Sequence, residues 1–482
     1  MENNGLIHLI KNTYPQIIAA VSGTLFAISD GMTYGWSAPY IPYLISDISH
    51  IQTTKREADF LETAFLLGSF CGLPFTVYLV NKIGRKKSLL LASFVVLLAW
   101  LAIGLGNQMV YIFVARFFCG MSGNMAFVAA PCFIAEIADP QIRGFLSSII
   151  YVMMLLGCLI VYSVGPFLPF YVPCIIGGTV AIIEILVFSR VPESALYLLS
   201  KDKPEAALQS IKFYKPYIDP IKELEQISKS IEEQRHEKGR FLDLFVVPSN
   251  RKGILIMTVL NAGQHLCAYS VILMNLHLIL ENAGTNYMNS AHAAILFAAL
   301  MLISVIFASF QIDKYGRKVL LIFSSILTAV CLLSIAVYFN LKIIGFNVIS
   351  FSWIPIVSIM IYAVVFKVGV GIVPIVITAE IFPNNLKALG MTLSDAMFIT
   401  GGLVAVNLYQ FLTEYIGMHV PFYIFGGFAM YITFYTIFFV PETKGKTLEE
   451  IQFILKGRNP NVMETVENGS TATHNSAGYS HL

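Results

Sequence analysis

The chain carries one charged sequence twice, each time between two long apolar stretches. The first copy reads Ala-Glu136-Ile-Ala-Asp-Pro-Gln-Ile-Arg143-Gly, and the second reads Ala-Glu380-Ile-Phe-Pro-Asn-Asn-Leu-Lys387-Ala. In both copies a glutamate stands seven residues before a basic residue, with a proline between them. A charged loop between hydrophobic helices that recurs far along the chain indicates a duplicated membrane protein.

Two more short sequences recur, in the same order, in each half of the chain. The first pair is Asn81-Lys-Ile-Gly84-Arg85-Lys and Asp313-Lys-Tyr-Gly316-Arg317-Lys, and the second is Val-Pro-Glu193-Ser and Val-Pro-Glu442-Thr. Three matching pairs in a common order indicate a parallel repeat, in which both halves run the same way through the membrane.

Composition also places the chain in a lipid bilayer. Of its 482 residues, 56% are hydrophobic and 12% are charged, and that charged share is about half of what soluble domains carry. Apolar stretches of about 20 residues recur, each long enough to cross a bilayer as a helix that satisfies its own backbone. The sequence predicts an all-α membrane protein with twelve transmembrane helices in two pseudosymmetric six-helix halves. The helices are expected at residues 16–38, 60–80, 88–106, 109–135, 145–165, 170–190, 252–280, 290–311, 319–340, 352–378, 388–412 and 420–440.

Lysine and arginine predict the orientation of these helices. The loops after predicted helices 2, 4, 8 and 10 carry basic residues, whereas those after helices 3, 5, 7 and 11 carry none. The exceptions are Lys342 after helix 9, and Lys55-Arg56 after helix 1, which lie in a longer loop with Glu57 and Asp59. Because basic loops face the cytoplasm, both termini are expected there, and the expected location is the plasma membrane. The expected domains are a cytoplasmic N-terminus at 1–15, a first half at 16–190, a cytoplasmic linker with short amphipathic helices at 191–251, a second half at 252–440, and a cytoplasmic tail at 441–482 that is disordered after about 457.

The repeated charges suggest a cytoplasmic gate. Gly84 and Gly316 each occupy a very short loop before an arginine, Arg85 or Arg317, that can reach a repeated glutamate with bidentate geometry. One hypothesis is a latch of glutamates and arginines from both halves, formed when the inner face closes. The alternative is that the arginines only fix the topology. The candidate gate residues are Asn81, Gly84, Arg85, Glu136, Arg143, Glu193, Asp313, Gly316, Arg317, Glu380, Lys387 and Glu442.

Further motifs carry a family resemblance. They are Arg116 with Gly120 and Gly123, Pro192-Glu-Ser-Ala-Leu-Tyr-Leu-Leu, and Pro441-Glu-Thr-Lys-Gly-Lys-Thr-Leu-Glu-Glu-Ile451. With the repeats above, they make the chain resemble the sugar porters of the major facilitator superfamily, which include insect facilitated trehalose transporters and animal facilitative glucose transporters. The resemblance runs from the first helix to about residue 455. It implies twelve helices, two halves, a central sugar site and alternating access.

The sugar site is where the chain departs from that family. In the family, helix 7 carries Gln-Gln-Leu-Ser-Gly-Xaa-Asn, and here it reads Gln264-His265-Leu-Cys-Ala-Tyr-Ser270. Hydroxyl-binding sites discriminate strongly because unpaired polar groups are costly, so an altered substrate or weaker binding is expected. The resemblance places the substrate-binding positions at Gln264, His265, Ser270, at Tyr151 in place of a glutamine, at Ile375 in place of a tryptophan, and at Phe398 near a missing asparagine-tryptophan pair.

Ionisable residues inside apolar stretches are rare and mark functional positions. We expect Arg116 to lie near the outer interface and Glu184 to lie at the cytoplasmic interface. Lys367 and Asp395 are expected either to form a buried pair or to make separate polar contacts. The intramembrane charges are Asp30, Arg116, Lys367 and Asp395.

The resemblance favours a facilitative transporter for a sugar, either a hexose or a disaccharide such as trehalose, that works as a monomer in the bilayer. Two alternatives stay open: a proton-coupled symporter using Asp30 or His265, and a sugar sensor that binds without transport. The sequence has no nucleotide loop, metal cluster or catalytic triad. We therefore expect no enzyme activity, cofactor, metal site or nucleic-acid partner. The seven cysteines lie in apolar stretches, which predicts free thiols.

Overall fold

The computed structural model describes residues 2–236, 240, 242–284, 287–383, 386–446 and 448–456. The predicted disorder after residue 457 lies outside these residues. The first half contains α1 (Glu2–Thr24), α2 (Phe26–Gly35), α3 (Ser37–Ile45), α4 (Lys55–Ile83), α5 (Arg85–Leu105), α6 (Met109–Ile137), α7 (Pro140–Val164) and α8 (Val172–Phe188). Helices α1 to α3 follow one another closely and form the first crossing.

Four short helices follow, and then the second half. The short helices are α9 (Ala195–Ser200), α10 (Pro204–Tyr214), α11 (Pro220–His236) and α12 (Asp243–Val246). The second half contains α13 (Pro248–Leu266), α14 (Tyr269–Ala283), α15 (Ser290–Tyr315), α16 (Arg317–Ile343), a 3₁₀ turn (Ile349–Phe351), α17 (Trp353–Val368), α18 (Val373–Ile381), α19 (Lys387–Tyr415) and α20 (His419–Phe439), and α21 (Leu448–Leu455) follows it.

The helices have the length and composition of a membrane protein. Eleven helical stretches among the described residues are long and apolar enough to cross a bilayer, and α8 is an apolar helix of 17 residues. A rise of about 1.5 Å per residue gives α8 a length of roughly 25 Å, close to the thickness of a hydrocarbon core. Helices are the only regular elements in the described part of the chain. The prediction of an all-α membrane protein is confirmed.

Two predicted helices are each broken in the structure, so their prediction as single helices was wrong. The first, 252–280, is interrupted at Cys267 and Ala268, where Ala268 has the left-handed φ of 68°. The second, 352–378, is interrupted after α17, beginning at Gly369 with φ −132° and ψ −77°. Both breaks lie in apolar sequence, so the hydrophobic pattern that predicts a membrane helix continues through them.

A serine stabilises the second break. The Ser324 hydroxyl on α16 donates to the Val365 carbonyl at 2.6 Å and accepts from the Val370 N–H at 3.0 Å. These bonds satisfy backbone groups that an unbroken helix would pair internally. Broken helices are tolerated in membranes where neighbouring side chains supply such partners.

Glycines allow the helices of the first half to touch backbone to backbone. A Cβ added at Gly120 on α6 would lie 1.9 Å from the Phe65 carbonyl oxygen of α4, and one at Gly68 on α4 would lie 1.9 Å from the Phe117 carbonyl oxygen of α6. Lipid supplies no hydrophobic drive for helix association, so close packing of small residues takes its place.

Gly120→Val is therefore expected to disrupt the α4–α6 contact. Overpacking costs about 1–3 kcal/mol in cores that can adjust, and here the obstacle is backbone. The measurement is thermal unfolding of the detergent-purified protein, with Gly427→Val as the control, because a Cβ at Gly427 meets nothing within 4 Å. We expect a clearly lower melting temperature for Gly120→Val alone, and equal losses in the two variants would contradict this packing.

Candidate substrate site and gates

In the described part of the chain, each half contains a partly buried arginine–glutamate pair at the end that carries the basic loops. In the first half, Nε and Nη2 of Arg85 lie 2.8 Å from Oε1 of Glu136, and the Ser194 hydroxyl donates to the other carboxylate oxygen. In the second half, Nη2 of Arg317 lies 2.8 Å from Oε1 of Glu380. The duplicated sequence thus forms the same contact twice.

The pairs differ from the expected latch. Arg85 on α5 and Glu136 on α6 belong to the first half, and Arg317 on α16 and Glu380 on α18 belong to the second half. Each pair therefore joins helices of one half and not the two halves to each other. In this conformation the pairs brace each half, as rigid-body rocking of one half against the other requires.

Glu193 and Glu442 bind the start of the helix that follows each of the repeated glycines, Gly84 and Gly316. Glu193 Oε2 accepts the Lys86 N–H at 3.0 Å. Glu442 accepts from the backbone N–H of Arg317 and of Lys318, each at 3.0 Å. The first N–H groups of a helix have no partner inside the helix and attract negative charge, so both glutamates act as caps.

The two caps differ in their electrostatics. Burial raises the pKa of Glu193, and the N–H groups that it accepts from offset this only in part. Burial also acts on Glu442, but four backbone N–H groups outweigh it and lower the pKa of that carboxyl. A lowered pKa means that folding favours the charged form, and a raised pKa means that folding disfavours it.

We expect Glu442→Gln to destabilise the protein more than Glu193→Gln at pH 7. The stability that Glu442 contributes is present above the usual glutamate pKa of about 4.3 and is lost as the pH falls through the lower folded-state value. The difference between the variants should therefore shrink on strong acidification. Melting temperatures measured at pH 7 and at steps down to about pH 3 check this, because the loss begins near the usual glutamate pKa of about 4.3. A larger loss for Glu193→Gln at pH 7 would contradict it.

The other predicted gate residues make local contacts. The Asn81 amide donates to the Val77 carbonyl of its own helix at 3.0 Å, and Arg143 Nη2 donates to the Ala138 carbonyl at 3.4 Å. Lys387 begins α19 and is half-buried. The Asp313 side chain lies outside the described residues.

The two halves contact each other toward the opposite face. Glu62 on α4 is fully buried, and the Asn275 amide on α14 donates to both of its carboxylate oxygens at 3.0 Å. The Gln410 amide on α19 donates to Glu62 Oε2 at 3.1 Å. We call Glu62, Asn275 and Gln410 the outer junction, because the basic loops at the other end predict that this face lies outside the cell. Near it, Arg56 and Glu414 form an exposed ion pair at 3.2 Å.

Glu62 is not among the functional residues predicted from the sequence. The predicted helix begins at residue 60, which places this carboxylate in the solvent-exposed first turn. In the structure α4 begins at Lys55, so Glu62 lies deeper in the bundle. The available signal was the sequence Thr54-Lys-Arg-Glu57, a capping box whose bonds are present in the structure and mark the earlier helix start.

The two broken helices meet at the centre of the protein. Lys367, next to the end of α17, is buried, and its Nζ lies 3.3 Å from the hydroxyl of Tyr269, the first residue of α14. Ser270 accepts the Tyr34 hydroxyl across the two halves at 3.1 Å and is hydrogen-bonded to Nδ1 of His265. In transporters, discontinuous helices of this kind build the substrate site near the middle of the membrane.

The structure brings four of the six predicted substrate-binding residues to this centre. His265 bonds Ser270 and packs edge-on against Phe398, with ring centroids 4.1 Å apart. Gln264, next to His265, is buried and donates to Asn261 at 3.4 Å. Of the other two residues, Tyr151 packs against Phe127 of the first half, with ring centroids 6.2 Å apart, and Ile375 is half-buried on α18.

Arg116 makes hydrogen bonds within the bundle and does not extend away from it, and Glu184 is not exposed as an interfacial residue would be. Arg116 is fully buried and turns toward the first crossing, where it donates to the Thr33 carbonyl and, at 3.0 Å, to the Ser37 hydroxyl. Glu184 is also fully buried, and it accepts the Ser93 hydroxyl at 2.8 Å. Both side chains find polar partners inside the bundle, so neither needs to reach the interface.

Of the two arrangements expected for Lys367 and Asp395, the buried pair is not formed in the structure. Lys367 contacts Tyr269, and Asp395 is exposed on α19. Asp30 is buried, with Oδ1 directed at Gly123 on α6, where an added Cβ would lie 2.1 Å away. Glycine at that position leaves room for the carboxylate.

Two repeated six-helix halves, joined near one face and holding broken helices at their centre, define a secondary membrane transporter. A family model described as "Sugar (and other) transporter" matches residues 16–455. The chain belongs to this family.

Relatives and solved structures agree with that assignment. Facilitated trehalose transporter Tret1 of Polypedilum vanderplanki is 27% identical over 454 residues, which cover 92% of this chain and 89% of that protein. Tret1 of Bombyx mori is 26% identical over 447 residues, covering 92% and 87%. The inward-open conformation of the xylose transporter XylE from E. coli matches with a TM-score of 0.73 and 20% identity, covering 91% of this chain and 98% of that one. At this identity the last likeness shows the fold alone.

Proposed function

We propose that the protein is a facilitative sugar transporter that works by alternating access. The observation that carries the proposal is the cluster of Gln264, His265 and Ser270 at the break between α13 and α14, linked across the halves to Tyr34. Amide, imidazole and hydroxyl groups can both donate to and accept from sugar hydroxyls. The names of the relatives support a disaccharide such as trehalose as the substrate, and a hexose is the alternative that the transport test includes.

The same proposal includes the setting of the protein. The basic loops support a cytoplasmic location for both termini, and with it the division into two membrane halves, a cytoplasmic linker and a cytoplasmic tail. The transporter is placed in the plasma membrane and acts as a monomer, since each chain holds both halves that rock against each other. It makes and breaks no covalent bond.

Counterflow in proteoliposomes tests this function. Labelled trehalose, glucose, fructose and xylose are offered to protein of verified folding, with and without a pH gradient, beside Gln264→Ala and the exposed control Gln108→Ala. We expect saturable flux of at least one sugar that ignores the pH gradient and falls at least tenfold in Gln264→Ala alone. Binding of a sugar without flux identifies a sensor, and neither binding nor flux contradicts the proposal.

A second candidate is proton-coupled sugar symport. The observation that favours it is Asp30, a buried carboxylate whose Oδ1 accepts no hydrogen bond and faces α6, the helix that carries Arg116. Such a group can bind and release a proton as its surroundings change. An inward proton gradient should then drive accumulation in the wild type, and Asp30→Asn should retain counterflow but lose accumulation. Identical accumulation in both proteins would exclude this candidate.

A further inference from the structure

The site at the two helix breaks contains a buried lysine. Lys367 is 6% exposed and stands two residues before Gly369, where the break after α17 begins. Its Nζ lies 4.5 Å from the centroid of the Tyr269 ring and 3.3 Å from the hydroxyl of the same residue. Tyr269 stands directly after the other break, so the ammonium group lies where the two broken helices meet.

No carboxylate neutralises this lysine in the described part of the chain. The ion pairs found there involve other basic residues. Among the buried acidic groups of the membrane region, Glu62 is held by Asn275 and Gln410, and Glu184 is held by Ser93. Asp30 is directed at Gly123. The phenol ring and hydroxyl of Tyr269 stabilise a cation but carry no charge that balances it.

A buried charge without a counter-charge is costly. A carboxylate on the substrate is a group that would compensate Lys367, and the hydroxyls of a neutral sugar would not. Hydrogen-bonding groups for the rest of such a molecule lie beside the lysine. Tyr269 contacts both Lys367 and His265, whose ring centroid lies 5.7 Å from that of Tyr269 and whose Nε2 has no hydrogen-bond partner.

We propose that the central site prefers carboxylate-bearing sugars, with Lys367 as the residue that selects the anion. This inference rests on the proposed transport function and narrows its substrate class. Lys367 binds the carboxylate, and Gln264, His265 and Ser270 bind the hydroxyls.

Competition in counterflow tests the proposal, using D-glucuronate and D-glucose because they differ only in the carboxylate. The variants are Lys367→Met, Lys367→Arg, which keeps the charge, and the control Lys342→Met at an exposed lysine that bonds only the Asn282 carbonyl. We expect glucuronate to compete at a concentration at least tenfold lower than glucose in the wild type, Lys342→Met and Lys367→Arg. Lys367→Met should lose that preference, so that glucuronate and glucose compete at similar concentrations.

Other results overturn the proposal in distinguishable ways. If glucuronate does not inhibit glucose flux, and glucose flux is the same in Lys367→Met as in the wild type, the anion preference is overturned and sugar transport is not. If glucose flux requires chloride, an inorganic anion compensates the charge of Lys367, and the proposed class of carboxylate-bearing substrates is overturned. If folded wild-type protein neither binds nor transports glucuronate or glucose, the proposed transport function is overturned as well.

Discussion

Gly316→Ala is expected to cost roughly 3–5 kcal/mol of stability, combining backbone strain with lost charge-assisted hydrogen bonds. Gly316 has φ 89° and ψ 158°, a region that is essentially restricted to glycine. An added Cβ would also lie 2.8 Å from Oε2 of Glu442. The carboxylate can retreat only by giving up the N–H groups of α16 that it caps.

Gly345→Ala is the control for this prediction. Gly345 has the same φ of 89°, but a Cβ there would meet nothing within 4 Å, so only backbone strain of about 1–2 kcal/mol is expected. Thermal unfolding in detergent compares the two variants. Equal losses of melting temperature would mean that the contact with Glu442 contributes nothing.

Glu62→Gln should shift the transporter from the state described above, in which the outer junction is closed, toward a state in which it is open. In the structure, Asn275 and Gln410 both donate to the Glu62 carboxylate. A glutamine there keeps one acceptor oxygen but replaces the other with an NH₂ group, which cannot accept a hydrogen bond from either residue. Hydrogen bonds to a charged group are worth about 1.5–3 kcal/mol each. Losing roughly 3 kcal/mol from the state with the closed junction changes the ratio of the two states by about a hundredfold.

A cysteine placed at Leu273 measures this shift. Leu273 is 1% exposed, and its carbonyl accepts the Tyr162 hydroxyl across the two halves. Labelling from outside by a membrane-impermeant maleimide should be at least tenfold faster in Glu62→Gln. Glu57→Gln is the control, because Glu57 lies on the same helix and bonds only Thr54. Unchanged labelling in Glu62→Gln would show that the outer junction does not hold the halves together.

The architecture follows from features that are local in sequence. Apolar length predicts each crossing, and the spacing of repeated motifs predicts the duplication. The Arg85–Glu136 and Arg317–Glu380 contacts were also predictable, because each joins elements that the repeat places at the same end of one half.

The remaining features depend on contacts between distant parts of the chain. The left-handed Ala268 has the side chain of an ordinary helix former, so only the folded backbone reveals the break. Glu62 is explained by partners more than 200 residues away. Arg116 turns inward because the first crossing offers it a carbonyl and a hydroxyl group. Hydropathy and spacing contain none of this information.

Locking the outer face tests alternating access most directly. Thr63 on α4 donates to Asn407 on α19 at 3.3 Å, between the two halves. The background variant has the exposed native Cys71 changed to serine. Cysteines are placed at Thr63 and Asn407 and joined by a short bifunctional thiol-reactive cross-linker. Each single-cysteine variant is the control. We predict that bridging abolishes sugar counterflow and that reduction restores it. Undiminished counterflow through fully bridged protein would contradict the account.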